Sequence, residues 1–353
     1  MTRQTIFVTC FLSFFLFSFT VNAAGHEEEK FNPGTFILDH IGDAYEWHIL
    51  TVGDHHVSVP LPVILYSGQS GFHLFMSTKF HHGHDAYKGF SIAADGAHKG
   101  KIVEQQSDGT MARPLLDLSI TKNVFAMFVS IALILWIFLS VAKQYKRNPD
   151  RAPKGLQSLM EPLILFVRDD IARPAIGYKY ERFMPYLLTL FFFILINNLM
   201  GLIPIFPFGA NVTGNIAITM VLALLTFLIT LGSSNKNYWI HIVNTPGVPW
   251  WLKFPIPLMP FIEFVGMLTK PFVLMIRLFA NITAGHIIAI GFFSLIFIFG
   301  AMKPLMGYGV SVISVAFTIF MTVLELLVAF IQAYVFTLLS ALYFGGAVED
   351  IHH

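Results

Sequence analysis

Polar and charged side chains interrupt two long apolar stretches near the carboxyl end of this 353-residue chain. The stretches span residues 261–301 and 310–344, and the polar positions within them are Glu263, Lys270, Arg277, Asn281, His286, Glu325 and Gln332. Histidine and glutamate exchange protons near neutral pH, whereas arginine keeps its charge. Side chains of these types inside apolar helices are typical of a proton path that contains a barrier.

Arg277 is not expected to lie against lipid. An arginine at the centre of a bilayer helix costs about 3 kcal/mol on insertion scales and cannot shed its charge, so it must face protein or water. A structural ion pair is the alternative role for such a charge. Residues 272–279 offer no carboxylate within helical reach, which disfavours that role.

Helical spacing relates the polar positions to one another. Asn281 lies one turn after Arg277 on the same face, and Glu325 and Gln332 share a face of the second helix. Two polar stripes on neighbouring antiparallel helices are therefore expected to meet. His286 lies nine residues after Arg277, on nearly the opposite side of a straight helix. Either the helix bends just before His286, or His286 lines a different aqueous pocket from the one that Arg277 faces.

The composition identifies an integral membrane protein. Hydrophobic residues make up 55% of the chain, aromatic residues 15% and charged residues only 12%, with a mean hydropathy of +0.67. A soluble enzyme is disfavoured because a soluble fold could not hide so much apolar surface. A net charge of +1 gives no electrostatic footprint for nucleic acid. The sequence contains neither a GxxxxGK[ST] phosphate loop nor an HExxH metal motif, and no span carries the nucleophile or metal pair of an intramembrane hydrolase.

Five apolar segments are predicted to lie in the membrane: residues 123–142, 183–205, 216–231, 261–301 and 310–344. The second and third should form a hairpin through a turn that contains Pro204 and Pro207. Forty residues of helix measure about 60 Å against a hydrocarbon core of about 30 Å, so the last two segments must tilt strongly, bend or break. Residues 156–171 are predicted to form a helix at the cytoplasmic interface, and residues 233–260, which are rich in proline, a loop.

Positive charges set the predicted orientation. Nine Lys and Arg residues lie between Lys143 and Arg182, which places that region in the cytoplasm. With five segments, the amino terminus is then exported and the carboxyl terminus is cytoplasmic.

The amino-terminal region is predicted to be exported. Residues 1–23 carry one early cation, an apolar run and a small-residue end, which predicts a cleaved signal peptide; an uncleaved first helix is the alternative. Cys10, the only cysteine, lies in this segment. Residues 24–121 are polar and predict a small β-leaning soluble arm, with strand-like stretches at 46–52, 56–66 and 71–80.

Ten of the 14 histidines lie in this arm. A cluster of His81, His82, His84 and Asp85 carries side chains that ligate zinc or copper. No second cluster has the spacing of a metal site, so a solvated polar loop is the favoured interpretation, and no metal or cofactor is predicted.

Three motifs carry a family resemblance. Residues 270–286, KPFVLMIRLFANITAGH, strongly resemble the signature of the a subunit of F-type ATP synthases. Residues 325–336, ELLVAFIQAYVF, resemble that family's last-helix motif, and residues 198–204, NLMGLIP, resemble its second-span motif. The resemblance covers roughly residues 123–344 and leaves the arm outside the common family pattern.

The resemblance implies a proton-translocating, non-catalytic subunit of the synthase in a bacterial inner membrane. In that family the subunit lies against a rotating ring of c subunits, each with a membrane-buried carboxylate, and offers protons two offset half-channels. The implied partners are this c ring, the b subunits of the peripheral stalk and the lipid bilayer, with no cofactor and no nucleic acid. A stand-alone proton channel or a secondary transporter is the alternative, although the chain shows no convincing internal repeat.

The resemblance also implies roles for single residues. Arg277 matches the essential arginine, which would favour the ionised ring carboxylate and repel a proton that crosses directly. His286 and Glu325 match two positions that are often Glu and His, respectively, in other bacterial members. The two residue types are therefore exchanged in this chain, and the resemblance implies that the pair serves the half-channel on the exported side. Glu263 matches the acid on the cytoplasmic side. The polar neighbours of the arginine correspond to Asn281 and Gln332.

The predicted fold is an all-α polytopic membrane protein with five membrane segments, two of them long tilted carboxyl-terminal helices, and a small β-leaning exported arm. The chain divides into a signal peptide (1–23), an exported soluble arm (24–121) and a membrane domain of the ATP synthase a subunit type (122–353). No catalytic residue is predicted in any of these parts.

A cysteine placed at Ser158 should be reached only from the cytoplasmic side. Removal of the signal peptide eliminates Cys10, so the mature chain contains no other cysteine that a thiol reagent could label. An impermeant thiol reagent should leave the cysteine unlabelled in intact cells and label it in inverted vesicles. Labelling from outside intact cells would contradict the predicted orientation.

Overall fold

The computed structural model describes residues 41–52, 55–83, 85–106, 109–147, 152–203, 206–244 and 258–349, together with Gly34 and Ile37. The predicted signal peptide, residues 1–23, and the proline-rich residues 245–257 lie outside the described residues. His84 of the histidine cluster and Pro204 of the hairpin turn also lie outside them.

Short antiparallel strands form the arm, which in the structure means residues 41–121. They are β1 (Glu46–Val52), β2 (His55–Pro60), β3 (Pro62–Ser67), β4 (Gly71–Met76), β5 (Phe90–Ile92), β6 (Ile102–Gln105), β7 (Met111–Ala112) and β8 (Leu116–Asp117). β1 pairs with β2, β3 lies between β4 and β8, and β6 lies between β5 and β7. The predicted β-leaning character of the arm is confirmed.

Two strand boundaries differ from the sequence prediction. The stretch predicted as one strand at 56–66 is divided at Leu61, because β2 pairs with β1 whereas β3 pairs with β4. At this switch between sheets, Ser77 N donates to Leu61 O (3.0 Å) and Leu61 N donates to Ser77 Oγ (3.1 Å). The strand predicted at 71–80 ends at Met76, because the backbone then enters a 3-10 turn, Ser77–Gly83.

Side chains from both three-stranded sheets form one small core. Leu65 comes from β3, Phe90 from β5 and Ile102 from β6, and all three are almost fully buried. Tyr45 joins this core, and its hydroxyl donates to Asp117 Oδ2 at 2.6 Å. Burial, followed by this hydrogen bond, raises the pKa of the Tyr45 hydroxyl, so the side chain stays neutral and acts as the donor.

The opposite face of the sheet of β4, β3 and β8 is also apolar. This outer sheet face consists of Pro62, Ile64, Tyr66, Phe72, Leu74, Met76, Leu116 and Leu118. Within the described part of the chain six of these side chains are exposed, Phe72 by 64% and Leu74 by 62%. The usual alternation of an apolar and a polar face is therefore missing from this sheet.

Backbone contacts attach the arm to the first helix, α1 (Lys122–Arg147). Lys122 N donates to Ala44 O at 2.8 Å. Asp43 accepts hydrogen bonds from Thr121 Oγ1 (2.8 Å) and Asn123 N (3.1 Å). The arm and the start of α1 are therefore joined through several hydrogen bonds in addition to the chain itself.

Trp47 of β1 connects the arm to a loop at residues 206–215. Its ring lies edge-on to Phe125 of α1 and to Phe206, with centroids 5.9 and 5.4 Å apart. Ala210 and Val212 of the same loop belong to this cluster and are buried. The arm therefore covers the 206–215 loop.

The remaining helices are α2 (Leu156–Phe166), α3 (Arg173–Ile176), α4 (Tyr180–Gly201), α5 (Ile216–Ser233), α6 (Lys236–Val243), α7 (Leu258–Met302) and α8 (Pro304–Val348). A π-helical segment, Val167–Ala172, joins α2 to α3. Among the described residues, five helical segments are long and apolar enough to cross a membrane: Lys122–Arg147, Leu156–Gly201, Ile216–Ser233, Leu258–Met302 and Leu305–Val348. The predicted all-α fold with five membrane segments is confirmed.

Helix α6 occupies part of the stretch predicted as a loop, so that prediction is wrong for residues 236–243. The prolines that favoured a loop begin only at Pro246, after α6 has ended. Ile242 is buried, and Trp239 Nε1 donates to Ser234 Oγ at 2.9 Å. These contacts stabilise a short helix that sequence composition did not indicate.

The helix predicted at residues 156–171 is present as α2 and the π-helical segment. The ring of Phe166 lies 5.6 Å from that of Tyr334 in α8 and 6.2 Å from that of Phe191 in α4. This helix therefore packs on the membrane helices. Its location at the cytoplasmic interface stays a prediction.

Helix α4 lies in the core of the membrane domain. Leu187 and Phe191 are fully buried, and the Phe183 ring stacks on Phe344 of α8 with centroids 4.8 Å apart. Tyr186 contacts α5, because its hydroxyl lies 2.8 Å from Thr226 Oγ1. α4 thus connects α5 to α8.

Helices α7 and α8 are each continuous over 45 residues, or about 68 Å. Of the three predicted ways to fit such long segments into a bilayer, a break is therefore wrong, and tilting or bending remains. The two helices lie side by side and antiparallel. The Phe292 ring stacks on Phe317 with centroids 4.9 Å apart, and Gly285 lies against Glu325.

Candidate functional site

One small cleft brings together three of the predicted site residues. Asn281 and His286 of α7 and Glu325 of α8 line it, together with Asn198 of α4. The other lining residues are Leu202, Ile282, Gly285, Val328 and Ala329. This His286 cleft contains about 250 Å³ of empty space, its open mouth included. Imidazole and carboxylate groups in one such space can pass protons to water and to each other, and the amides can hydrogen-bond to that water.

One glycine makes room for the Glu325 carboxylate, and a second glycine lies beside His286. A Cβ at Gly285 would lie 2.7 Å from Glu325 Oε1, and one at Gly201 would lie 3.7 Å from His286 Nε2. Glu325 Oε1 is buried and has no hydrogen-bond partner among the described residues. In its present position the carboxylate therefore fits only beside a glycine, with one oxygen available to a proton donor.

Asn198 is held in a defined orientation. Its Nδ2 donates to Ala329 O at 3.2 Å, and its Oδ1 accepts a 2.6 Å hydrogen bond from Thr213 Oγ1. Asn198 is only 4% exposed and Thr213 only 1%. Because Thr213 belongs to the 206–215 loop, this loop reaches the His286 cleft through Asn198.

A second cleft lies toward the amino-terminal end of α7, with about 250 Å³ of empty space, its mouth included. This Tyr238 cleft is lined by Ala223, Thr226, Phe227, Thr230, Tyr238, Met267, Lys270, Pro271 and Tyr343. Lys270 Nζ lies 5.4 Å from the centre of the Tyr343 ring. Glu263 lies close to Tyr238: burial first, and the Glu263 charge second, raise the pKa of the Tyr238 hydroxyl.

Arg277 lies on α7 between the two clefts. Pro271 lines the Tyr238 cleft on one side of it, and Asn281 lines the His286 cleft on the other. Arg277 is exposed and forms no ion pair with any described residue. His286 lines a cleft that does not include Arg277, and α7 remains helical just before His286. Which of the two predicted alternatives holds stays a prediction.

An exposed stripe of α7 carries Arg277. Val273, Ile276 and Ala280 continue this stripe at helical spacing and are exposed as well. Asn281 belongs both to the stripe and to the His286 cleft. An exposed apolar helix face of this kind marks an interaction surface, and the guanidinium within it must face protein or water.

Gln332 and Glu263 lie outside the His286 cleft. Gln332 is buried on α8, and the antiparallel contact of Gly285 with Glu325 places it level with Arg277. Glu263 lies about 35 Å along α7 from His286, beside the Tyr238 cleft. The structure therefore brings three of the six predicted site residues into one cleft and leaves the others apart: Arg277 lies on the exposed stripe, Gln332 is buried on α8, and Glu263 lies beside the Tyr238 cleft.

The sequence analysis missed Asn198 and Thr213 as site residues. An asparagine inside the apolar helix α4 is a signal, because an amide in a membrane helix needs partners. Thr213 gives no such signal, because it lies in a loop and its hydrogen-bond partner, Asn198, lies on α4.

Two histidines of the cluster contact two different carboxylates. His82 Nδ1 lies 2.8 Å from Glu46 Oε1, and His81 Nε2 lies 4.0 Å from Asp85 Oδ2. No group of three or more potential metal ligands occurs in the part of the chain that the structure describes, which excludes His84.

Comparison with known proteins gives two family matches. Residues 124–345 match the family described as ATP synthase A chain, and residues 36–118 match a family described only as a domain of unknown function, DUF8433. The ATP synthase subunit a of Chloroherpeton thalassium is 46% identical over 244 residues, which cover 67% of this chain and 69% of that protein. ATP synthase subunit a 2 of Prosthecochloris aestuarii is also 46% identical, over 67% of this chain and 71% of its own. ATP synthase subunit a 2 of Chlorobium luteolum is 44% identical, over 67% and 70%.

Replacement of Gly285 by alanine should lower passive proton flux through the membrane domain about tenfold, because the new Cβ displaces the Glu325 carboxylate. Assembly should be preserved, since the clash involves the flexible end of a side chain. Gly291→Ala on the same helix is the matched control, because a Cβ there meets no atom within 4 Å. Equal flux in the two variants, measured in membrane vesicles, would show that the position of this carboxylate does not matter.

Proposed function

The chain belongs to the ATP synthase A chain family and has the a subunit's role in proton translocation, and from this premise we propose that its two clefts belong to two offset half-channels. Membership in the family also makes it a multi-pass membrane protein in a complex with other ATP synthase subunits. The observation that carries the proposal is the position of Arg277, exposed on α7 between the two clefts.

The His286 cleft is the half-channel on the exported side. α7 runs outward from its cytoplasmic start, and His286 lies about 13 Å beyond Arg277 along this helix. Glu325 precedes Gln332 on the returning helix and so lies on the same side of Arg277. The imidazole and the carboxylate line one cleft, where they exchange protons with water from the exported side.

The Tyr238 cleft is the half-channel on the cytoplasmic side. Lys270 and Tyr238 line it, and Glu263 lies close to Tyr238, so a carboxylate lies beside this cleft. The cleft lies toward the amino-terminal end of α7, which is the cytoplasmic end in the predicted orientation.

Arg277 is the barrier between the half-channels. The partner that fits the exposed stripe is the c ring, whose subunits are apolar and each carry one membrane-buried carboxylate. A guanidinium stays charged at every physiological pH, so it favours the ionised ring carboxylate and repels a proton that would pass directly from one cleft to the other. Protons must then travel on the ring as it rotates.

The chain has no catalytic role of its own in this proposal. Residues 1–23 are a signal peptide, 24–121 an exported arm and 122–353 the membrane domain. The amino terminus is exported from a bacterial inner membrane, the carboxyl terminus is cytoplasmic, and the b subunits of the peripheral stalk are further partners. A stand-alone channel or a secondary transporter is not favoured, because the family match covers residues 124–345.

Arg277→Ala should abolish coupled ATP synthesis and ATP-driven proton pumping while the protein still inserts, because the change removes a barrier charge and leaves the apolar helix intact. Arg277→Lys should fail or nearly fail as well, since a desolvated ammonium can lose its proton. Arg173→Ala, which removes an exposed arginine paired with Asp169, is the control and should stay active. Near-normal synthesis by Arg277→Ala would refute the assignment.

His286 and Glu325 should behave as one coupled pair. Either single exchange, His286→Glu or Glu325→His, places two like groups in one cleft and should impair flux. The double exchange restores one acid and one imidazole, so it should recover more activity than the two single losses predict. Proton flux through membranes stripped of the catalytic sector gives the measurement. Losses that simply add would mean that each residue bonds independently to its own surroundings.

A further inference from the structure

A buried hydroxyl outside the half-channel helps to hold an amide that lines it. The side-chain amide of Asn198 has a nitrogen and an oxygen, and each forms a hydrogen bond. Nδ2 donates to Ala329 O, and Oδ1 accepts from Thr213 Oγ1. A carbonyl oxygen can only accept, so the nitrogen of the amide must face Ala329 and the oxygen must face Thr213.

This orientation determines what Asn198 offers to the cleft. Nδ2 carries two hydrogens, and Ala329 O takes one of them. The second remains for the His286 cleft, which Asn198 lines together with Glu325. Glu325 Oε1 in that cleft is buried and has no hydrogen-bond partner among the described residues, so the cleft contains an acceptor that a donor or a bridging water would satisfy.

We propose that Thr213 is a positioning residue of the proton path, which keeps an amide hydrogen of Asn198 directed to the cleft shared by His286 and Glu325. This inference rests on the proposed role of that cleft as a half-channel. Without the Thr213 hydroxyl, Asn198 Oδ1 loses its hydrogen bond, so the amide is held only through Ala329 O and can rotate away from its present position. The cleft then loses a fixed donor for water or for the carboxylate.

The place of Thr213 in the fold suits this role. The residue is 1% exposed and belongs to the 206–215 loop, whose neighbours Ala210 and Val212 pack against Trp47 of the arm. Thr283 Oγ1 of α7 also donates to Gly214 O, at 3.4 Å, so the loop contacts the helix that carries His286. The loop is thus contacted from both sides, and the Thr213 hydroxyl lies 2.6 Å from Asn198 Oδ1.

The test compares four variants of the complete synthase in inverted membrane vesicles. Thr213→Val removes the hydroxyl and conserves the shape, and Thr213→Ser keeps the hydroxyl. Thr219→Val is the matched control, because Thr219 is also fully buried but donates only to backbone carbonyls at the start of its own helix. Glu325→Gln reports on the half-channel itself. Passive proton flux is measured across pH after the catalytic sector has been stripped, and assembled subunit is quantified in each preparation.

Thr213→Val should reduce flux per assembled complex about three- to tenfold, the range expected for one lost hydrogen bond, and should displace the pH at which flux is half maximal. Thr213→Ser should restore both flux and pH profile, and Thr219→Val should change neither. A merely structural role would lower the amount of assembled subunit without altering the pH profile.

Wild-type flux and pH profile in assembled Thr213→Val would overturn the proposal, as would a serine variant that is as impaired as the valine variant. Should the valine variant not assemble, Thr213→Ala makes the same comparison with a smaller side chain. If Thr213→Val keeps normal flux while Glu325→Gln loses it, only the proposed role of Thr213 is refuted. If both variants keep normal flux, the proposed half-channel role of the cleft is refuted as well.

Discussion

A side chain that exchanges protons can be kept inside a membrane only where protein or water surrounds it, and the antiparallel pair of α7 and α8 supplies those surroundings. Because the two helices touch through Gly285, the carboxylate of Glu325 lies between them instead of against lipid. The neighbouring positions of α7 and the amide of Asn198 on α4 then complete a polar space in an otherwise apolar layer. Every other assignment in the membrane domain depends on this contact, since it sets the register that brings Gln332 level with Arg277.

Helix α4 gives this arrangement its rigidity. Its buried side chains pack on α8, and Tyr186 contacts Thr226 of α5 near the Tyr238 cleft, while Asn198 reaches the His286 cleft. One helix therefore contacts the surroundings of both clefts. α7 and α8 expose long apolar faces, whereas α4 is covered on most sides, so the clefts have one well-packed wall and one wall that is left to a partner.

Much of this could be predicted from the sequence, because membrane helices are specified by local apolar composition and by the cost of burying charge. Arg277, His286 and Glu325 stood out for that reason. The sequence did not indicate α6, since packing of Ile242 and a side-chain hydrogen bond of Trp239 stabilise it. Thr213 and Gly285 were also missed, because their importance comes from contacts between different helices and loops, which no spacing along one segment reveals.

The outer sheet face of the arm has a practical consequence. The sheet of β4, β3 and β8 has the arm's core on one side and exposed apolar side chains such as Phe72, Leu74 and Leu118 on the other, within the described residues. β4 and β8 are also its edge strands, so unpaired backbone groups lie beside this apolar surface. If the arm were produced without the membrane domain, such a surface would promote self-association, and the fragment would need detergent or a lipid surface to remain dispersed in solution. The solubility suggested by its polar composition is thus a property of the sequence average and not of this face.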